Sequence, residues 1–152
     1  MNRDPQAMRR YWPLLALNAS PNHRLSPVQM QKTLFLLGTN LPDDIDTNAF
    51  YHFTPYHYGP FDKAIYGDLN GLIEDGFVDR VTHLNRQDFV LTDAGKVFAQ
   101  HVSQNDDESL RRAISYLETV TAWVKSLSFE DLIKSIYKAY PAFKTNSIFE
   151  PK

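Results

Sequence analysis

Residues 61–95, FDKAIYGDLNGLIEDGFVDRVTHLNRQDFVLTDAG, decide the fold. Phe61, Ile65, Leu69, Leu72 and Ile73 recur at the three-to-four spacing of one helical face. Asp62 stands near the positive end of that helix's dipole, and Gly76 offers its C-cap. Two β-prone runs follow, 77–81 and 88–91, and the polar loop 82–87 between them predicts an antiparallel hairpin. Thr92 then caps a helix carrying Ala94, Val97, Phe98 and His101.

Toward the N-terminus, Gly59-Pro60 sets a turn, and residues 50–53 form at best a short strand stopped by Pro55. Ser26-Pro27-Val28-Gln29 combines a capping serine, proline at the first helical position and glutamine three residues after the cap, which starts a helix. Val28, Gln31, Leu34, Phe35 and Leu37 follow, and Gly38 can close that helix in the left-handed conformation. Residues 20–23 read as a turn. Before them, Met8, Trp12, Leu15 and Ala19 share one face, interrupted by Pro13. Proline in a helix interior removes a backbone bond and costs about 3 kcal/mol, so this helix is expected to begin near Tyr11.

Toward the C-terminus, residues 104–108 are a polar break whose acids suit a helix start. From Leu110, residues Ala113, Ile114, Leu117, Val120, Val124 and Leu127 sustain one apolar face that must pack on something. Ser128 restarts a helix with the stripe Leu132, Ile133, Ile136 and Tyr137; Pro141 ends it, and the tail from Ala142 is expected to be irregular. There is no internal repeat.

The fold class expected is mainly α with a small antiparallel β-hairpin. The order helix, helix, short strand, helix, hairpin, helix is that of a winged helix-turn-helix, here over 1–104, with two additional C-terminal helices over 105–152 packed on it as one structural unit. A chain of 152 residues fits one domain, and 43 % hydrophobic with 13 % aromatic residues is enough for its core. Zero cysteines exclude thiolate catalysis and sulfur-held metal sites and suit a reducing compartment. No apolar run approaches the roughly 20 residues of a membrane span, nor do the first residues resemble a signal peptide, so a cytoplasmic address is expected.

Several segments together carry a family resemblance: Gln31-Lys32-Thr33-Leu34-Phe35-Leu36-Leu37, then Tyr58-Gly59-Pro60-Phe61, then Asp68-Leu69-Asn70-Gly71-Leu72-Ile73 with Gly76-Phe77-Val78, then Leu91-Thr92-Asp93-Ala94-Gly95. This array resembles the YwgA-like bacterial winged-helix proteins and, through them, the Panacea (SocA-type) antitoxin domain, over roughly residues 10–140. The resemblance implies a non-enzymatic protein that binds a protein partner, in some members a toxin to be neutralised or handed to a protease. Asp62 stands where the group usually places a serine-like helix cap, and it caps equally well.

A helix-turn-helix that reads DNA presents Arg, Lys, Asn or Gln to base edges and surrounds them with phosphate-binding cations. The candidate helix offers Asp62, Asp68, Glu74 and Asp75 against Lys63. The DNA-contact candidates under this alternative are Lys63, Asn70, Arg80 and Arg86, too few to reverse the sign. Net charge is −2, divided into +4 over 1–40, −9 over 41–110 and +3 over 111–152. Such asymmetry suits the choice of a protein partner, and equally suits simple solvation.

Seven aromatics fall between Phe50 and Tyr66, more than a short strand and one helix face easily bury. Tyr56, Tyr58, Phe61 and Tyr66 are therefore the partner-binding candidates, the competing role being closure of the core beneath the turn. Asp43, Asp44 and Asp46 lack the glycine and glutamate of a calcium loop, and His52 with His57 lacks further zinc ligands, so neither metal nor cofactor is expected. No catalytic residue is nominated either: the serines already have capping or turn roles, and no glycine-rich phosphate loop is present. The function expected is a non-catalytic winged-helix protein-binding module, antitoxin-like or regulatory; the alternative is a winged-helix transcriptional regulator. Trp123, off the centre of the long helix stripe, leaves room for a homodimer.

Overall fold

A computed structural model describes residues 8–43, 45, 49–104 and 107–148. The chain is mostly helical with a small antiparallel sheet. In order the elements are α1 (Tyr11–Ala19), β1 (Arg24–Leu25), α2 (Pro27–Thr39), β2 (Thr54–Tyr56), β3 (Gly59–Phe61), α3 (Ala64–Glu74), β4 (Val78–His83), β5 (Arg86–Leu91), α4 (Asp93–Ser103), α5 (Glu108–Ser126) and α6 (Phe129–Ala139). Single 3-10 turns occupy Pro21–His23 and Pro141–Lys144.

α1 starts at Tyr11, which places Pro13 in the first turn, where a backbone N–H has no partner within the helix to lose. Every residue from Trp12 to Leu17 is buried, so α1 is a central helix rather than a one-faced one. Met8, expected on its inner stripe, is exposed. Ser26 caps α2 as expected: Gln29 N donates to Ser26 Oγ at 3.1 Å, and Ser26 N donates to Gln29 Oε1 at 2.9 Å. Gly38 does not close α2. It lies inside the helix, where a Cβ would stand 2.8 Å from the Phe50 ring, so its smallness serves a close approach.

The principal sheet has the order β1–β5–β4, all antiparallel, with Arg24 opposite Val90 and Leu25 opposite Phe89. β1 is only two residues long and follows directly on the turn expected at 20–23, between it and the Ser26 cap. The β4–β5 hairpin is longer than the sequence suggests: its strands run to His83 and from Arg86, leaving Leu84 and Asn85 as the turn in place of a loop over 82–87. Leu84 takes φ +57° there and is 86 % exposed.

Three expectations between α2 and α3 are corrected. The strand lies at 54–56, not 50–53, and Pro55 sits within it opposite Pro60 of β3. Proline is tolerated because this separate ribbon has only two strands, both of them edges. Gly59-Pro60 is consequently strand, the turn is His57-Tyr58, and α3 begins at Ala64 rather than Phe61. Asp62 still caps it, Ala64 N donating to Asp62 Oδ1 at 2.9 Å.

α3 ends in a Schellman motif: Gly76 at φ +84° donates to Ile73 O, and Phe77 N to Leu72 O. Thr92 Oγ1 donates to Gly76 O at 2.7 Å and accepts from Gly95 N at 2.9 Å, docking the start of α4 on the end of α3. Gly95 permits that approach, since a Cβ there would lie 2.1 Å from Phe77 O. The buried face of α4 is Gly95 and Ala99 with half-buried Phe98 and Val102; Ala94, Val97 and His101 are exposed.

α5, capped by Asp107, lies across α1 and α2. Its Ala113 and Leu117 join Trp12, Leu34, Leu69 and Leu91 in one continuous core. Val120 and Val124 join Phe35, Leu132 and Ile136 in an adjoining cluster that secures α6, on which Leu132, Ile133, Ile136 and Tyr137 are all buried. As far as Ile148 the tail from Ala142 has no helix or strand beyond the 3-10 turn, and it packs on the body: Phe143 meets Phe35 edge-on, and Ile148 N donates to His57 O at 3.0 Å.

Candidate functional site

The ribbon β2–β3 brings the aromatic candidates together. Its two prolines, Pro55 and Pro60, face each other in a ladder only three residues long, and side chains around the ribbon add further hydrogen bonds to it. Lys32 on α2 donates from Nζ to Pro60 O at 3.0 Å. Gln31 beside it bonds the backbone of Asp62 twice, its Nε2 donating to Asp62 O and its Oε1 accepting from Asp62 N, each at 3.0 Å. From the C-terminal side Asn146 Nδ2 donates to Pro55 O, and Ser147 Oγ to His57 O. Gly59 takes φ +97° where a Cβ would meet the Tyr137 ring at 3.1 Å.

Between α2, the ribbon and α3 lies a cavity of about 250 Å³ lined by Val28, Gln31, Lys32, Tyr56, His57, Tyr58, Gly59, Phe61 and Tyr66. All four partner-binding candidates line it. They divide by depth: Tyr56 and Tyr58 are 46 % and 39 % exposed, whereas Phe61 and Tyr66 are half-buried. Tyr56 stacks on Phe61 with ring centroids 4.7 Å apart, and Tyr66 stacks on Phe89 of the sheet. Tyr58 meets exposed Phe129 edge-on at 5.3 Å, and exposed Ile148 hangs from the His57 carbonyl. The other rings of the 50–66 stretch go inward: Phe50 and Tyr51 are buried and Phe53 is half-buried. The aromatic run is thus part core and part surface.

Lys32 is the residue that sequence reasoning overlooked. It is 2 % exposed, and burial alone lowers its pKa from the usual lysine value to about 7. A lysine ammonium carries three donors, and Pro60 O accepts from one of them. Burial likewise raises the pKa of the Tyr66 hydroxyl, against a smaller opposing effect of its hydrogen bond to Gln31.

The DNA-contact candidates are placed differently. Lys63 is exposed at the start of α3, and Arg80 on β4 donates to Asn70 on α3, so these two candidates engage each other. Arg86 donates to both Asp88 oxygens, at 2.7 and 3.1 Å, and Arg24 donates to Asp88 Oδ2 at 2.8 Å. The arginines ahead of α1 also turn to α3: Arg9 bonds Asp68 at 2.9 Å and Arg10 bonds Asp75 at 2.9 Å. Tyr51 adds to that knot, its hydroxyl donating to Asp68 Oδ2 at 2.6 Å beneath the Arg9 guanidinium. Glu74 remains an exposed acid on α3.

Asp44 and Asp46 of the acidic loop lie outside the described residues, and among the described residues no group of three or more potential ligands could hold a metal ion. No helix among them is long and apolar enough to cross a membrane. Neither a family model, a curated protein nor a solved structure matches the chain.

Proposed function

We propose that the chain is a winged-helix protein-binding module, antitoxin-like or regulatory and non-catalytic, working in a bacterial cytoplasm. The sheet order β1–β5–β4, with α1 before β1 and α2 and α3 between β1 and the hairpin, supports the winged-helix assignment; the β2–β3 ribbon is then an insertion ahead of the third helix. The observation that carries the binding role is the exposed aromatic cluster on that ribbon. Tyr56, Tyr58, Phe129 and Ile148 gather around one turn, and rings with polar tips are the side chains that anchor protein interfaces. Trp123, 41 % exposed on α5, supplies a further apolar contact that a homodimer could use.

The alternative, duplex recognition through α3, is disfavoured by charge. Arg9, Arg10, Arg24 and Arg86 each hold a carboxylate, so contact with phosphate would require exchanging partners already made.

Co-expression with the product of the neighbouring reading frame tests the proposal. Growth arrested by that product is restored by the wild-type chain and not by a Tyr56→Ala/Tyr58→Ala variant with an unchanged melting temperature. Equal rescue by the variant contradicts the assigned surface.

A further inference from the structure

We propose that the cavity between α2, the β2–β3 ribbon and α3 binds a small aromatic carboxylate of a single ring, with the carboxylate on Lys32 and the ring against Tyr56, Phe61 and Tyr66. This site goes beyond the protein-binding role and does not depend on it.

Three features define the ligand. The first is the amine. Lys32 lines the cavity, is almost fully buried, makes a single hydrogen bond to Pro60 O and forms no ion pair among the described residues. A buried ammonium with two unmade bonds is costly alone and is compensated by an anion that accepts both, as a carboxylate does with its two oxygens. The second is the wall. Tyr56 stacks on His57 at 4.1 Å and on Phe61 at 4.7 Å, and Phe61 meets Tyr66 at 5.8 Å, so the wall is a linked set of rings for a planar guest to pack against. The third is size. About 250 Å³ falls below the roughly 300–1,000 Å³ of sites for drug-sized ligands, which admits one ring and its carboxylate.

The titratable groups facing Lys32 do not replace the missing anion. Tyr56, His57 and Tyr58 come from the ribbon and its turn, Tyr66 from α3, and Tyr137 from α6 across Gly59. Asp62 is the nearby acid at the end of β3, and its oxygens already accept from His52 N and Ala64 N. Binding an anion therefore favours the charged lysine and draws in a proton wherever the free amine is neutral. With the free amine near pKa 7, that uptake approaches one proton at pH 8 and is small at pH 6.

Calorimetric titration of the full chain with benzoate, benzamide and acetate, in two buffers of different ionisation enthalpy, tests the site. Benzoate is expected to bind at pH 6 with a Kd below about 1 mM, and the uncharged benzamide and ringless acetate at least about tenfold more weakly. Benzoate affinity falls by about tenfold per pH unit above pH 7, with proton uptake at pH 8. Lys32→Met removes the preference for benzoate over benzamide. No benzoate binding at 10 mM ligand overturns the proposal, as does equal binding of benzamide or a pH-independent affinity without proton uptake. The last two readouts use the wild-type protein and hold even if the variant does not fold.

Discussion

Lys32 Nζ and the Pro60 carbonyl oxygen stand 3.0 Å apart, tying the middle of α2 to the second strand of the ribbon. The bond joins two of the most distinctive segments in the sequence, Gln31-Lys32-Thr33 and Tyr58-Gly59-Pro60, and its burial makes the lysine pH-sensitive. The amine titrates at about 7 in the folded chain and near its ordinary, higher value in the unfolded one. Between those values the unfolded state holds the extra proton, so stability rises with pH from about 7 toward 10, and the cost of burying the charge is fully present below 7. Urea unfolding at pH 6 to 9.5 is expected to show this rise, at most about 1.4 kcal/mol per pH unit, in the difference between wild type and Lys32→Met. Parallel curves for the two proteins contradict it.

Gly95 predicts a large cost for a small change. A Cβ there meets Phe77 O at 2.1 Å and Leu91 Cδ1 at 2.8 Å, and the backbone oxygen cannot step aside without breaking the Thr92 N to Phe77 O bond. Gly95→Ala should destabilise by about 2–4 kcal/mol in denaturant unfolding. Gly67→Ala, on α3 with nothing within 4 Å, should instead be neutral or stabilise by up to about 1 kcal/mol.

Asp88 predicts acid sensitivity. Burial pushes its pKa up, but the hydrogen bonds and charges of Arg24 and Arg86 outweigh burial and hold it below the usual carboxylate value. Its contribution to stability is thus complete above the unfolded-state pKa near 4 and is lost as the pH falls further. Asp88→Asn is expected to destabilise at pH 7 by about 1–2 kcal/mol, since it weakens the charge-assisted bonds while water still reaches Arg24 and Arg86, and to unfold with a shallower dependence on pH below 4. Thermal unfolding from pH 2 to 7 checks both.

Tyr58 and Phe35 separate surface from core. Tyr58 is 39 % exposed with its ring on Phe129, whereas Phe35 is 5 % exposed and meets Phe53, Tyr140 and Phe143 edge-on. Tyr58→Ala should cost no more than about 1 kcal/mol, and Phe35→Ala about 3–5 kcal/mol. A many-degree fall in melting temperature for Tyr58→Ala would move that ring from interface to core.

The helix caps were the most legible part of the sequence, because capping is local chemistry. Ser26 with Gln29, Thr92, and Ser128 with its acidic first turn each accept the backbone bond their spacing implies. The α6 stripe was equally clear, since α6 is buried on one side only. Periodicity misled where it was broken by context: α1 is buried around its whole circumference, and α4 uses Gly95 and Ala99 for contact while Val97 faces water. β1 is too short to carry a pattern, and the ribbon depends on partners far along the chain, Lys32 and Ser147 among them. At the site, the sequence singled out the four aromatics but not Lys32, which looks like one more polar residue. Its signal was its setting: Gln31, Lys32 and Thr33 stand unbroken between Met30 and Leu34 in a helix buried along that whole run.

The central claim, that the face carrying α3 does not serve a duplex, is tested most directly by fluorescence anisotropy with random-sequence duplex DNA at 50 mM and 200 mM salt. With Arg9, Arg10, Arg24 and Arg86 held by Asp68, Asp75 and Asp88, the chain is expected to show no binding tighter than about 10 µM at the lower salt. Sub-micromolar binding that weakens steeply at the higher salt would contradict the account.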